Sequence, residues 1–219
     1  MEEPGDLARW EKLFEAHLGA AAPGDPAHDL EHLRRVVANA RRLADLEAAP
    51  LEVVIPAAWL HDCVAVPKNH PARSQASRLS AERAVELLGL WGYPEAALPE
   101  IAHAIEAHSY TAGIPARTAA ARVVQDADRL DALGATGLAR CLALGGAWAL
   151  PLYHPSDPFC RSREPNDSAY SLDHLFAKLL KLAAGFQTAS GRAEAERRTA
   201  FLRAYLAELE RELGEPITG

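Results

Sequence analysis

The sequence predicts an all-α fold, a single-domain helical bundle. Three observations predict it. Apolar residues recur at the three- and four-residue spacing of one helical face along most of the chain. Prolines and glycines cluster between these segments rather than inside them. No segment that reads as a strand has a second one to pair with. The composition agrees with a soluble globular protein: of 219 residues, 49% are hydrophobic and 24% charged. The 23 Lys and Arg against 30 Asp and Glu give a net charge of −7, a poor basis for stable nucleic-acid binding, which needs a basic surface.

The elements follow in order. Leu7, Trp10, Leu13, Phe14 and Leu18 share one face of a helix over 6–18. A second runs from about Asp29 to Glu47, capped by Asp29 or Asp25, with Val36, Val37, Ala40, Leu43 and Ala44 inward. The segment from Val53 to Leu60 is apolar all round and reads as a central helix, with Pro56 near its start or kinking it. Pro67, Asn69 and Pro71 mark a loop over 64–73; 74–90 returns to helical spacing. Pro99 and Glu100 open a helix ending near Ser109. Thr118 caps a helix through Asp131, expected to continue past Gly134 and Gly137 towards Trp148. Prolines 151, 155, 158 and 165 make 151–167 the longest irregular stretch, long enough to suggest a functional loop. Helices are expected over 168–187 and 192–213. We expect one domain over 1–219, its core at about 28–148, with the helices of 168–213 packed on it.

The three cysteines, Cys63, Cys141 and Cys160, form no CxxC pair, which argues against a disulfide framework or a thiolate zinc site. The acidic start has no signal-peptide pattern and no apolar run reaches ~18 residues. A cytoplasmic protein with no membrane partner is expected.

Nine histidines are present, and their positions carry the chemistry. His61 and Asp62 end the apolar central helix. His32 lies one turn before Val36 on an inward face, while His28 falls at the solvent end of the same helix. In Gln125-Asp126-Ala127-Asp128-Arg129-Leu130-Asp131 the helical wheel turns Asp128 and Asp131 towards Ala121 and Val124. Asp126 points elsewhere, within reach of Arg122. A carboxylate turned into a core needs a partner or a metal. His32, His61, Asp62 and Asp128, from three helices, form a thiolate-free donor set suited to a divalent first-row ion. His108 shares a face with Ile101 and Ile105 and points inward near them; His103 lies opposite.

His32 with Arg35-Val36, His61-Asp62, and Ala127-Asp128-Arg129-Leu130-Asp131 resemble the H…HD…D signature of the HD-domain metal-dependent phosphohydrolases. His28-Asp29-x-x-His32, Gln125 to Gly134, and His174-Leu175-Phe176-x-Lys178-Leu179 resemble the bacterial YedJ/YpgQ-type branch. The resemblance runs over about 10–213. It implies an all-helical hydrolase of phosphate esters or anhydrides, often of nucleotides. It implies one divalent ion, Mn fitting best, with Mg, Fe, Co, Ni or Zn as alternatives, on His32, His61, Asp62 and Asp128. Ala65 stands where some HD nucleotidases carry a glutamate for proton transfer.

The expected function is therefore a nucleoside triphosphate pyrophosphohydrolase, a monomer or homodimer. Asp62 or His108 takes the proton. Lys68, Arg129, Arg161 and Arg163 meet the phosphates, Lys68 also serving catalysis. Two other classes are kept: an HD-type diiron oxygenase, with His108 completing a binuclear site, and a silent nucleotide- or metal-binding module.

Overall fold

The computed structural model describes residues 4–20, 30–66, 74–109 and 112–214. These form nine α-helices, with no strand among the described residues. They group into two compact units: Met1–Arg129 with Gln187–Gly191, and Leu130–Phe186 with Arg192–Gly219. No described helix is long and apolar enough to cross a membrane.

The first unit contains α1 (Pro4–Gly19), α2 (Leu30–Glu47), α3 (Leu51–Leu60), α4 (Ala76–Trp91), α5 (Leu98–His108) and most of α6 (Ala119–Asp131). Every residue of α3 from Val53 to Leu60 is buried, as an all-round apolar helix requires. It packs against α1, α2, α4 and α5. Pro56 lies inside this helix rather than at its start. Proline has no N–H, so the carbonyl of Glu52 loses its helical donor. The Tyr93 hydroxyl replaces it, donating to Glu52 O at 2.6 Å. Tyr93 is delivered by the end of α4, where Gly92 takes the left-handed conformation (φ 77°) and Tyr93 N bonds Leu88 O at 2.9 Å. Pro99 falls in the first turn of α5, and the Thr118 hydroxyl accepts from Ala121 N at 3.1 Å to cap α6. The caps expected at Asp25 and Asp29 lie outside the described residues.

A distant segment closes this unit. Ser190 N and Oγ both donate to Glu47 Oε1, at 2.8 and 2.6 Å. These bonds hold the Glu47 carboxyl below its usual range. Thr188 caps α9 (Ala189–Gly214) through its hydroxyl, which accepts from Gly191 N at 3.0 Å.

In the second unit the continuous helix expected from Thr118 to Trp148 is broken. Leu133 is extended, Gly134 has φ 69°, and α7 (Gly134–Ala147) starts anew. Gly137 is held so close to the preceding turn that a Cβ there meets Ala132 O at 2.2 Å. The helix expected over 168–187 is also divided, into α8 (Asp173–Ala177) and a 3₁₀ segment at Leu179–Gly185. The break is at Lys178, whose backbone leaves the helical region (φ −133°, ψ −60°). The stretch 151–167 is irregular as expected. Its hub is Asp157, which accepts from the backbone N–H of Arg161 and Ser162 at 2.9 and 2.8 Å. From Arg192 onward α9 belongs to this unit, and Arg198 Nη1 caps Leu130 O at 2.7 Å.

Candidate metal centre

The start of α2, the ends of α3 and α5 and the last turn of α6 present three imidazoles and two carboxylates to one place. His61 follows the last residue of α3, and His108 is the last residue of α5. A helix C-terminus leaves carbonyls without backbone donors. Each histidine uses one of them: His61 Nδ1 bonds Ala58 O at 2.8 Å, and His108 Nδ1 bonds Ile105 O at 2.6 Å. Both rings are thereby locked with Nε2 facing inward, the tautomer suited to ligation. His61 is fully buried, and its Nε2 has no hydrogen-bond partner among the described residues. A buried acceptor left in this way is costly unless something else fills the role.

The neighbours of that nitrogen are carboxylates. His61 Nε2 is 3.7 Å from Asp62 Oδ2 and 3.8 Å from Asp128 Oδ1. His32 Nε2 is 3.6 Å from the same Asp128 oxygen, and His108 Nε2 is 3.6 Å from Asp62 Oδ1. These separations are too long for hydrogen bonds. They suit two ligands on one ion: at ~2.1 Å each and a tetrahedral angle, donor atoms stand about 3.4 Å apart. The atoms fall into two overlapping groups, His32, His61, Asp128 and His61, Asp62, His108, each spanning no more than 4.8 Å, with His61 common to both.

The electrostatics separate the histidines. Burial lowers the His61 pKa, and that outweighs the attraction of Asp62 and Asp128. Burial also opposes the charge on His108, but the negative charge of Asp62, 3.6 Å away, overcomes it, so His108 is raised. Cys63 does not join the donors. Its Sγ turns to Ser80 O at 3.4 Å, and burial pushes the thiol up to about 11.

Asp128 is half-buried beside His32 and His61, in the direction the helical wheel gives. The expectation for Asp126 is overturned. It is fully buried and does not pair with Arg122, which bonds the carbonyls of Ala116 and Arg117 instead. Asp126 accepts from Gln187 N at 2.9 Å, Thr188 N at 2.8 Å and Thr188 Oγ1 at 2.7 Å. Burial nevertheless leaves its carboxyl above the usual range. The reason is that α6 is covered on all sides from Val123 to Ala127, with Gln187 and Thr188 lying over Asp126 itself. The small apolar residues of that run, Val123, Val124 and Ala127, were the available signal. Gln125, also buried, received no role from the sequence although it lies in the same motif.

Arg129 follows Asp128 in α6, and its charge pulls against the rise of Asp126. Arg161 and Arg163, expected at the phosphates, belong to the second unit. Arg161 pairs with Glu210, and Arg163 forks onto the buried Asp173, with Nη2–Oδ1 at 2.7 Å. Each thus faces a carboxylate of its own, Arg161 at the exposed surface and Arg163 with a buried partner. His103 is half-buried and accepts from Arg117 N at 3.1 Å. Lys68 and His28 lie outside the described residues.

Comparison with known proteins gives the class. The HD domain family model matches residues 29–133. The Bacillus subtilis protein YpgQ is 32% identical over 190 residues, covering 85% of this chain and 84% of that protein. The chain belongs to the HD-domain superfamily, and its fold is that of an HD-superfamily hydrolase. Within that class it is similar to YpgQ, whose crystal structure in complex with ADP aligns with a TM-score of 0.72 at 28% identity. That alignment covers 93% of this chain and 98% of the other. An HD-superfamily hydrolase from Bacillus thuringiensis aligns with a TM-score of 0.73 at 28% identity, covering 97% and 98% of the two chains.

Proposed function

We propose that this protein is a divalent-metal-dependent phosphohydrolase of nucleotides, with His32, His61, Asp62 and Asp128 as the metal ligands. The observation that carries the reading is the convergence of His61 Nε2, locked and without a hydrogen-bond partner, on carboxylates at metal-sharing distances. Manganese suits the mixed imidazole–carboxylate set, which lacks a thiolate. A divalent ion held there supplies an activated water and polarises a phosphoryl oxygen.

The chain's own residues do the remaining work. His61 keeps its Nε2 lone pair, because its proton is on Nδ1 and burial disfavours the cation. His108 and Asp62, with Nε2 and Oδ1 3.6 Å apart, form a pair able to take up a proton and return it near the reacting phosphate. This pair takes the place of the glutamate absent at Ala65. Lys68 and Arg129 provide positive charge for the phosphates. The ADP complex of YpgQ supports a nucleotide as the ligand class.

The finer reading is cleavage of a nucleoside triphosphate between the α and β phosphates. The water oxygen bonds the α phosphorus, the bond to the bridging oxygen breaks, and pyrophosphate leaves with the monophosphate as co-product. The test is a nucleotide panel with Mn, Mg, Co and Zn, with products identified by chromatography. Orthophosphate from monophosphates alone rejects the triphosphate reading and keeps the hydrolase. Lys68→Ala is expected to raise KM more for a triphosphate than for a monophosphate ester, since only the former has a tail to lose.

A binuclear alternative is favoured by one observation, the sharing of His61 between two donor groups that bring in His108. Two irons per chain with an oxidised visible spectrum, and no hydrolysis, would establish it.

A further inference from the structure

Gln125 is buried, 4% exposed, and it belongs to α6 three residues before Asp128. Its Nε2 donates to Ala107 O at 2.6 Å. Ala107 immediately precedes His108, and its carbonyl is one of the last in α5, where the helix runs out because the chain leaves it at Ser109 (ψ 125°). The final turn of α5 is therefore completed by two side chains. His108 Nδ1 takes Ile105 O, and Gln125 Nε2 takes Ala107 O. His61 has the same i−3 bond at the end of α3.

We infer that Gln125 is a positioning residue for His108, clamping the last turn of α5 to α6 so that the His108 ring keeps Nδ1 on Ile105 O and its Nε2 turned towards Asp62. The inference rests on the reading of His108 as part of the site, and it deepens that reading. Without the amide donor, Ala107 O loses the hydrogen bond that ties it to α6, and a buried acceptor that loses its donor is costly. The last turn can then rewind, and the His108 ring loses its fixed tautomer. The partners of a site histidine commonly change metal affinity or activity by about 10–100-fold.

The test uses Gln125→Met, which keeps length and apolar packing while deleting the donor. Long-range ¹⁵N–¹H spectra of the imidazoles are recorded on the metal-free protein. Wild type is expected to show His61 and His108 each as a single Nδ1–H tautomer. In Gln125→Met, His108 alone is expected to become a tautomer mixture while His61 is unchanged. With Mn added, kcat is expected to fall about 10-fold or more with KM within a few-fold. A single unchanged His108 tautomer overturns the inference, and so does equal disturbance of His61, which marks general loosening. Should Gln125→Met fail to fold, Gln125→Glu, which replaces the donor by an acceptor of the same shape, is read by the same criterion. The imidazole readout needs neither metal nor turnover. Failure of the hydrolase reading therefore shows separately, as absent metal binding with the His108 result intact.

Discussion

His61 and His108 end two different helices and make one and the same bond, each ring donating Nδ1–H to the carbonyl three residues behind it. Their rings meet edge to face with centroids 4.9 Å apart. The shared device gives opposite protonation tendencies, because Asp62 lies within reach of the His108 proton while burial dominates at His61. The neutral form is thus favoured at His61 and the protonated form at His108.

Ligand removal follows from this. His61→Ala and Asp62→Ala are expected to lose stoichiometric metal, read by inductively coupled plasma spectrometry, while the helical circular dichroism persists. Stoichiometric metal in either folded variant contradicts the ligand assignment.

Asp126 and Asp128, two residues apart, are expected to fail in different ways. Asp126→Ala leaves the N–H groups of Gln187 and Thr188 without their acceptor, costing about 3 kcal/mol and roughly 6–12 °C of melting temperature. Asp128→Asn is expected to strip the metal with little loss of melting temperature. The reverse pattern in a combined melting and metal-content measurement would falsify the division.

The difference between these two aspartates measures what the sequence could tell. Local spacing was enough to recognise α3 as a buried helix and to turn His32, His61 and Asp128 inward, because those facts depend on one helical period. The partners of Asp126 lie 61 and 62 residues away, and no local pattern announces them. The break between α6 and α7 was missed for a related reason. Gly134 and Gly137 are tolerable inside a helix, and only the approach of Ala132 O to Gly137 shows that the chain turns there. The charges of Arg161 and Arg163 read as available, since a sequence does not display Glu210 and Asp173 beside them.

Acid is expected to loosen the second unit first. Hydrogen bonds from the backbone of Arg161 and Ser162 hold the Asp157 carboxyl down to about 2, and the Arg197 and Arg198 bonds hold Glu194 to about 2. A carboxylate whose pKa is lowered by folding stabilises the fold above its ordinary value, 3.8 for Asp157 and 4.5 for Glu194. That stabilisation is lost as pH falls from there towards about 2. Hydrogen exchange, followed peptide by peptide, should show 151–167 opening in this window, and Asp157→Asn should weaken the pH dependence. Exchange there that is flat from pH 5 to pH 2 refutes the expectation.

The bond from Tyr93 to Glu52 O exists because Pro56 cannot make it. Tyr93→Phe is expected to cost about 1 kcal/mol. In a Pro56→Ala background the restored N–H can serve the same carbonyl, so the cost should shrink by roughly half or more. A double-mutant cycle on chemical denaturation measures this coupling. Equal costs in both backgrounds would show that the hydroxyl is not compensating for the proline.

The clasp of Asp126 on Thr188 spans 62 residues, and it has a consequence for the order in which the protein is made. Every proposed metal ligand has been synthesised once the chain reaches Asp128. The carboxylate two residues earlier still lacks its hydrogen-bond donors until Gln187 and Thr188 emerge. At ~5–20 residues per second that interval is about 3–12 s. During it the Asp126 carboxylate is without these donors and α6 without this anchor, so the helix that carries Asp128 is fixed in place by the closing segment and not by its own synthesis.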